Sequence, residues 1–258
     1  MAGGRRLSYL DFGGPGAPLL TLHGHYNEGA AFAPLAEALA PRWRVIALDQ
    51  RGHGESDRAE SYDRGDYVGD VAALHRHLGL GAVAVLGHSL GGVNAYQYAA
   101  RQPDRVSALI VEDIGAVVDV DWSFTSGLPR RAPSRAELVA SLGSAAPYLE
   151  CSFRRADDGW GFSFGIEDTV ASQKALSGEH WRDWTAVACP TLLIRGTRSD
   201  ELAAVRADFP LVLLPWPYDP ENGANVNIAD RQGVTPLGHA KGRGYAEMVR
   251  ILEAAGAR

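Results

Sequence analysis

Five residues, Gly87-His88-Ser89-Leu90-Gly91, carry the clearest chemical signal in the chain. A serine hydroxyl is a weak nucleophile until a neighbouring base takes its proton, and the G-x-S-x-G spacing supplies the geometry for that exchange. Small residues on both sides let the backbone bend sharply enough to lift the Ser89 hydroxyl clear of its surroundings. An apolar, strand-like run precedes it and a helical pattern over residues 90–101 follows, so the N-terminal amides of that helix point at the serine. An oxyanion formed there would be stabilised by the Leu90 amide. A second donor would come from a backbone amide near His25, in the segment LHGHYNEG over residues 22–29.

These groups need a scaffold that brings strand ends together. Val-, Leu- and Ile-rich runs recur near residues 5–11, 18–23, 44–48, 82–87, 106–112, 190–195 and 211–214. Helical patterns lie at 30–40, 66–78, 90–101 and 201–207. Such alternation predicts an α/β fold, a mostly parallel sheet with helices on both faces, and ligands at the strand ends. The rhythm breaks between about 115 and 185. Strand signals vanish there, and Trp122, Phe124, Phe153, Trp160, Phe162, Phe164, Trp181 and Trp184 crowd together. That stretch reads as a helical cap inserted into the sheet domain, able to line a mostly apolar pocket.

The segments LHGHYNEG, ALDQRGHGESDR (47–58) and GHSLGG, in that order, resemble the α/β-hydrolase superfamily, specifically its capped esterase and carbon–carbon-hydrolase-like branch, over about residues 5–205. The resemblance implies that Ser89 attacks an acyl carbonyl, that a histidine takes its proton and that an acid orients the histidine. Asp200 matches the family's position for the acid, after the strand TLLI; Asp113, at the end of the strand before the cap, is the alternative. Chain order then leaves His239 as the base. Among the other histidines, the resemblance makes His53 structural, and His88, directly before Ser89, is expected to point its side chain away from the attacking face. His75 and His77 read as surface residues of a helix, and His180 lies in the cap.

The end of the chain departs from that pattern. His239 stands 39 residues beyond Asp200, and proline, glycine and asparagine fill much of the interval. Residues 222–257 resemble a terminal ankyrin repeat, with Asp230, Gly233, Thr235-Pro236-Leu237, Ala240 and Gly244 at the repeat's positions and helices expected at 236–243 and 246–254. A lone repeat must bury its apolar face against a neighbour, here the sheet. The expected organisation is therefore a core of 1–114 and 186–221, a cap of 115–185 and an ankyrin-like segment of 222–258.

The chain has 258 residues, 46% of them hydrophobic, enough to bury one large core. A net charge of −6 argues against a nucleic-acid surface. No eighteen-residue apolar run or secretory-type leader is present, so a soluble cytoplasmic protein with no membrane partner is expected. Cys151 and Cys189 have neither disulfide nor metal-site spacing and read as packing residues. The expected function is a hydrolase free of cofactor and metal, acting on an ester, lactone or related carbonyl of a small, largely apolar substrate. The alternative is a ligand-binding protein that has lost its base to the ankyrin-like tail, and a single repeat offers little surface for a protein partner.

Overall fold

The structure, a computed structural model, describes residues 4–196, 211–214, 235–242, 249, 250, 252 and 253. In chain order the first elements are β1 (Tyr9–Asp11), β2 (Ala17–Leu22), α1 (Ala33–Leu39), β3 (Trp43–Leu48), α2 (Arg64–His77), β4 (Val83–His88), α3 (Leu90–Arg101) and β5 (Val106–Glu112). After an insertion come β6 to β9 and α4 to α8, defined below, then β10 (Thr191–Gly196), β11 (Leu211–Leu214) and α9 (Pro236–Gly242).

Seven strands form one sheet in the order β1-β3-β2-β4-β5-β10-β11, parallel throughout except for β1, which pairs antiparallel with β3 at the edge. Burial on two faces explains why the inner strands read as nearly continuous apolar runs. Alternate residues divide between two cores. Leu20, Leu22, Ile46, Leu48, Val85, Leu109 and Val111 pack against α2 and α3. Leu19, Val45, Ala47, Ala84, Leu86 and Ile110 pack with Phe32, Ala36 and Leu39 around α1, and with Leu237, Ala240 and Leu252. Burying each large aliphatic side chain stabilises by about 1.5–3 kcal/mol, so both faces must stay covered.

The order of strands sets the place of the site. From β2 the chain moves outward to β3, then crosses back over β2 to β4 and continues the other way. The carboxyl ends of β2 and β4 therefore flank a topological switch point, where an open α/β sheet leaves a crevice. Leu22 pairs with Gly87 at that edge.

The insertion between β5 and β10 contains β6 (Val117–Val118), α4 (Ser123–Ser126), α5 (Arg135–Leu142), α6 (Ala146–Leu149), β7 (Phe153–Ala156), β8 (Gly159–Phe162), α7 (Ile166–Leu176), β9 (Gly178–Glu179) and α8 (Trp181–Thr185). The expectation of a purely helical insertion is corrected here. β7 and β8 form an antiparallel hairpin, and β6 pairs with β9. The turn Asp157-Asp158-Gly159 closes the hairpin with Gly159 at φ 125°, a conformation glycine adopts without penalty. Phe153, Phe164, Leu138, Leu149 and Ala132 gather with Tyr26 into a third core.

His75 also differs from its surface reading. It is 1% exposed, with one ring nitrogen against the Tyr98 hydroxyl at 2.7 Å and the other donating to the Gly81 carbonyl. A buried imidazole satisfied at both nitrogens is compatible with an apolar helix face. His77 is exposed. Of residues 222–258, expected to form an ankyrin-like segment, Thr235, α9 and residues 249, 250, 252 and 253 are described; the remainder lies outside the described residues, as does Asp200. No helix among the described residues is long and apolar enough to cross a membrane.

Candidate active site

Ser89 occupies the bend between β4 and α3 with φ 50° and ψ −118°. A side-chain-bearing residue held there stores about 1–3 kcal/mol of strain, which persists only where the surroundings dictate it. They do so through glycines. A β-carbon at Gly87 would stand 2.2 Å from the Gly91 oxygen, and one at Gly91 would stand 2.1 Å from the Leu22 oxygen. The Ser89 amide donates to the Glu112 carbonyl at 2.9 Å, and the Gly92 amide returns to the Ser89 carbonyl at 2.8 Å. The bend is thereby fixed from β5 and from the helix it starts.

Beside it, the loop leaving β2 is built from His23 inward. His23 is buried and accepts from the Gln50 amide at Nε2 (3.0 Å), so Nδ1 carries the proton and donates to the Gly24 carbonyl at 2.7 Å. The Gln50 amide group donates to the His23 carbonyl at 2.6 Å and accepts from Asn94 of α3. Among the described residues, neither the His25 nor the Leu90 main-chain amide donates a hydrogen bond. Both lie at the switch point. Two amides with no hydrogen-bond partner among the described residues are donors of the kind that stabilise a developing negative charge.

The next four residues are each held by the insertion. The His25 ring meets Ser172 of α7 at 2.9 Å; the Tyr26 hydroxyl bonds Thr125 and Gln173. Asn27 donates to the Tyr148 carbonyl at 3.3 Å and accepts from the Cys151 thiol. Glu28, buried, accepts two bonds from Arg154 at 2.9 and 2.8 Å and one from Ser163. Sequence reasoning missed these partners, which lie about a hundred or more residues away and carry no motif.

Burial lowers the pKa of His23, His25 and His53, which keeps all three imidazoles neutral. His53 donates from Nδ1 to the Arg51 carbonyl at 3.0 Å and packs edge-on against His23. It takes a structural place. His88 stands against Gly24 and the Tyr148 ring. Burial pushes the thiols of Cys151 and Cys189 up to about 11, as suits packing residues.

Of the two candidate acids, Asp113 is described. It follows β5 directly at φ 54°, half-buried, with its amide donating to the Ile194 carbonyl at 2.8 Å. His239 falls within α9, whose Leu237 and Ala240 are buried against the sheet; its side chain lies outside what is described.

A parallel sheet covered on both faces, with a serine bend at its switch point, defines the architecture of the alpha/beta hydrolases. The chain belongs to the alpha/beta hydrolase fold family, whose model matches residues 17–141. It is similar to 2-(acetamidomethylene)succinate hydrolase of Mesorhizobium japonicum, 30% identical over 230 residues that cover 78% of this chain and 81% of the relative. The crystal structure of E-2-(acetamidomethylene)succinate hydrolase superposes with a TM-score of 0.73 at 27% identity, over 83% of this chain and 88% of that one. A pimeloyl-[acyl-carrier protein] methyl ester esterase of Chromobacterium violaceum is 42% identical over 144 residues, 55% of this chain and 51% of its own.

Proposed function

We propose that the protein is a serine hydrolase that cleaves an ester, lactone or related carbonyl bond of a small, largely apolar substrate. The observation that carries this reading is the Ser89 conformation, φ 50° and ψ −118°, with the His25 and Leu90 amides unpartnered among the described residues. In this reading the Ser89 hydroxyl attacks the carbonyl carbon while His239 takes its proton, and Asp200 or Asp113 orients His239. The amides of His25 and Leu90 hold the oxyanion. His239 then returns the proton to the leaving group, and water hydrolyses the acyl-enzyme by the same route. No cofactor or metal enters.

The aromatic insertion acts as the cap. Tyr26, Phe124, Phe153, Phe162 and Phe164 cluster with centroid separations between 4.7 and 5.9 Å, and such rings favour an apolar acyl or alcohol portion. The ankyrin-like residues 222–257 serve the reaction by carrying the base. The 2-(acetamidomethylene)succinate hydrolase and the pimeloyl-[acyl-carrier protein] methyl ester esterase among the relatives support the hydrolase class.

The test is labelling with a fluorophosphonate probe followed by peptide mapping. The expected result is one adduct, on Ser89, absent from Ser89→Ala and slowed at least a hundredfold in His239→Ala. No adduct in folded protein overturns the reading. An adduct whose rate ignores His239→Ala supports instead a ligand-binding protein that lacks its base.

A further inference from the structure

The geometry points to Tyr148, in α6 of the insertion, as a positioning residue that sets the aim of the His25 amide in the oxyanion site. This rests on the reading of Ser89 as nucleophile. The Tyr148 hydroxyl donates to the His25 main-chain carbonyl at 3.1 Å. It also fills the space left by the missing side chain of Gly24, where a β-carbon would stand 2.6 Å from its oxygen. One hydroxyl therefore contacts the residues on both sides of the peptide plane that carries the His25 N–H.

An oxyanion donor works only when held close to the position where charge develops, about 2.7–3.1 Å away and within about 10–20°. The peptide plane that carries the His25 N–H is held at its Gly24 carbonyl by His23 Nδ1 at 2.7 Å, and its other end turns with His25, whose own carbonyl the Tyr148 hydroxyl holds. Gly24 brings no side chain to restrain it, and Tyr26 follows at φ 67°, a region seldom adopted by bulky residues. Side-chain contacts fix residues 25 to 28 from the insertion, but among the described residues Tyr148 alone donates a side-chain hydrogen bond to the His25 carbonyl. The Tyr148 carbonyl is itself anchored by the Asn27 side chain at 3.3 Å, which closes a small ring of contacts. Tyr148 is 39% exposed as a residue, but its hydroxyl is the sheltered end, where burial pushes its pKa up. A buried hydroxyl needs a partner, and the His25 carbonyl supplies it.

The experiment compares wild type, Tyr148→Phe and Asn27→Ala in rate and stoichiometry of fluorophosphonate labelling, and in kcat and KM for p-nitrophenyl acetate. Tyr148→Phe is expected to lower the labelling rate constant and kcat about tenfold, less than loss of a direct donor, with KM within about twofold and full labelling stoichiometry. Asn27→Ala, which keeps the hydroxyl but frees its anchor, is expected to lower the rate constant about threefold. A merely structural role would reduce the fraction of protein that labels and leave the rate constant of the remainder unchanged. Wild-type rate constants in whichever variants fold overturn the assignment of Tyr148 while Ser89 stands. Wild-type protein that takes no label overturns the nucleophile and this inference with it.

Discussion

The Gly91 amide donates to the His23 carbonyl at 3.1 Å, which ties the first turn of the helix after Ser89 to the loop that leaves β2. The approach is possible because Gly91 has no side chain, a β-carbon there falling 2.1 Å from the Leu22 oxygen. One contact thus couples the serine bend to the loop that carries the proposed second oxyanion donor. Gly91→Ala must push backbone against backbone and is expected to destabilise by about 3 kcal/mol, lowering Tm by roughly 6–12 °C. A thermal melt within about 2 °C of wild type would contradict the coupling.

Strain at Ser89 makes stability and activity move in opposite directions. At φ 50° and ψ −118° a glycine sits without the penalty a side chain incurs. Ser89→Gly is expected to unfold at about 0.5–1.5 kcal/mol higher free energy in urea while losing about a thousandfold or more in kcat. A variant less stable than wild type would mean the bend is not strained.

The buried carboxylate of Glu28 faces Arg154 from β7, whose side chain is 37% exposed. Removing the cation leaves the Glu28 carboxylate, among the described residues, with the Ser163 hydroxyl as its hydrogen-bond partner. Partial exposure of Arg154 limits the cost, so Arg154→Met is expected to destabilise by about 1–3 kcal/mol. The effect should shrink in Arg154→Met combined with Glu28→Gln, measured by denaturant unfolding as a double-mutant cycle.

Stability should fall on mild acidification. Burial depresses the folded-state pKa of His23, His25 and His53 below their ordinary value of 6.5, so the unfolded chain binds protons that the folded chain refuses. Their contribution is present above pH 6.5 and declines as pH falls below it, by about 1.4 kcal/mol per pH unit for each proton taken up. Urea midpoints measured from pH 8 to 5, roughly spanning that window, should be flat at the upper end and drop at the lower. His53→Gln should flatten the drop by about one proton.

The two thiols should be slow to react. With pKa values pushed up to about 11 by burial, the thiolate fraction near neutrality is about one in ten thousand. Native protein is expected to react with a disulfide reagent many times more slowly than protein in denaturant. Equal rates would show that the thiols are not sheltered.

The sheet, α1 to α3 and the serine bend were legible in the sequence because each rests on local rules. Leu19 and Leu20, or Ala84 and Val85, alternate between two faces, and Gly87, Ser89 and Gly91 encode their bend by size alone. The hairpin Phe153–Ala156 with Gly159–Phe162 escaped notice because its signal is eight strand residues around Asp157-Asp158, set among helices and aromatics. His75 was misjudged because burial depends on Tyr98, twenty-three residues away, supplying the second hydrogen bond.

The amino-acid order by itself determined the class of fold, the serine and the loops that flank it, since periodicity and steric size act within a few residues. Tertiary structure alone decided that His25, Tyr26, Asn27 and Glu28 are all gripped by side chains and backbone between residues 125 and 173. It also placed the Tyr148 hydroxyl on the His25 carbonyl. Those pairings carry no local pattern: hydrogen bonds across a hundred residues form wherever the folded chain brings donor and acceptor together, and only the packed molecule fixes that distance.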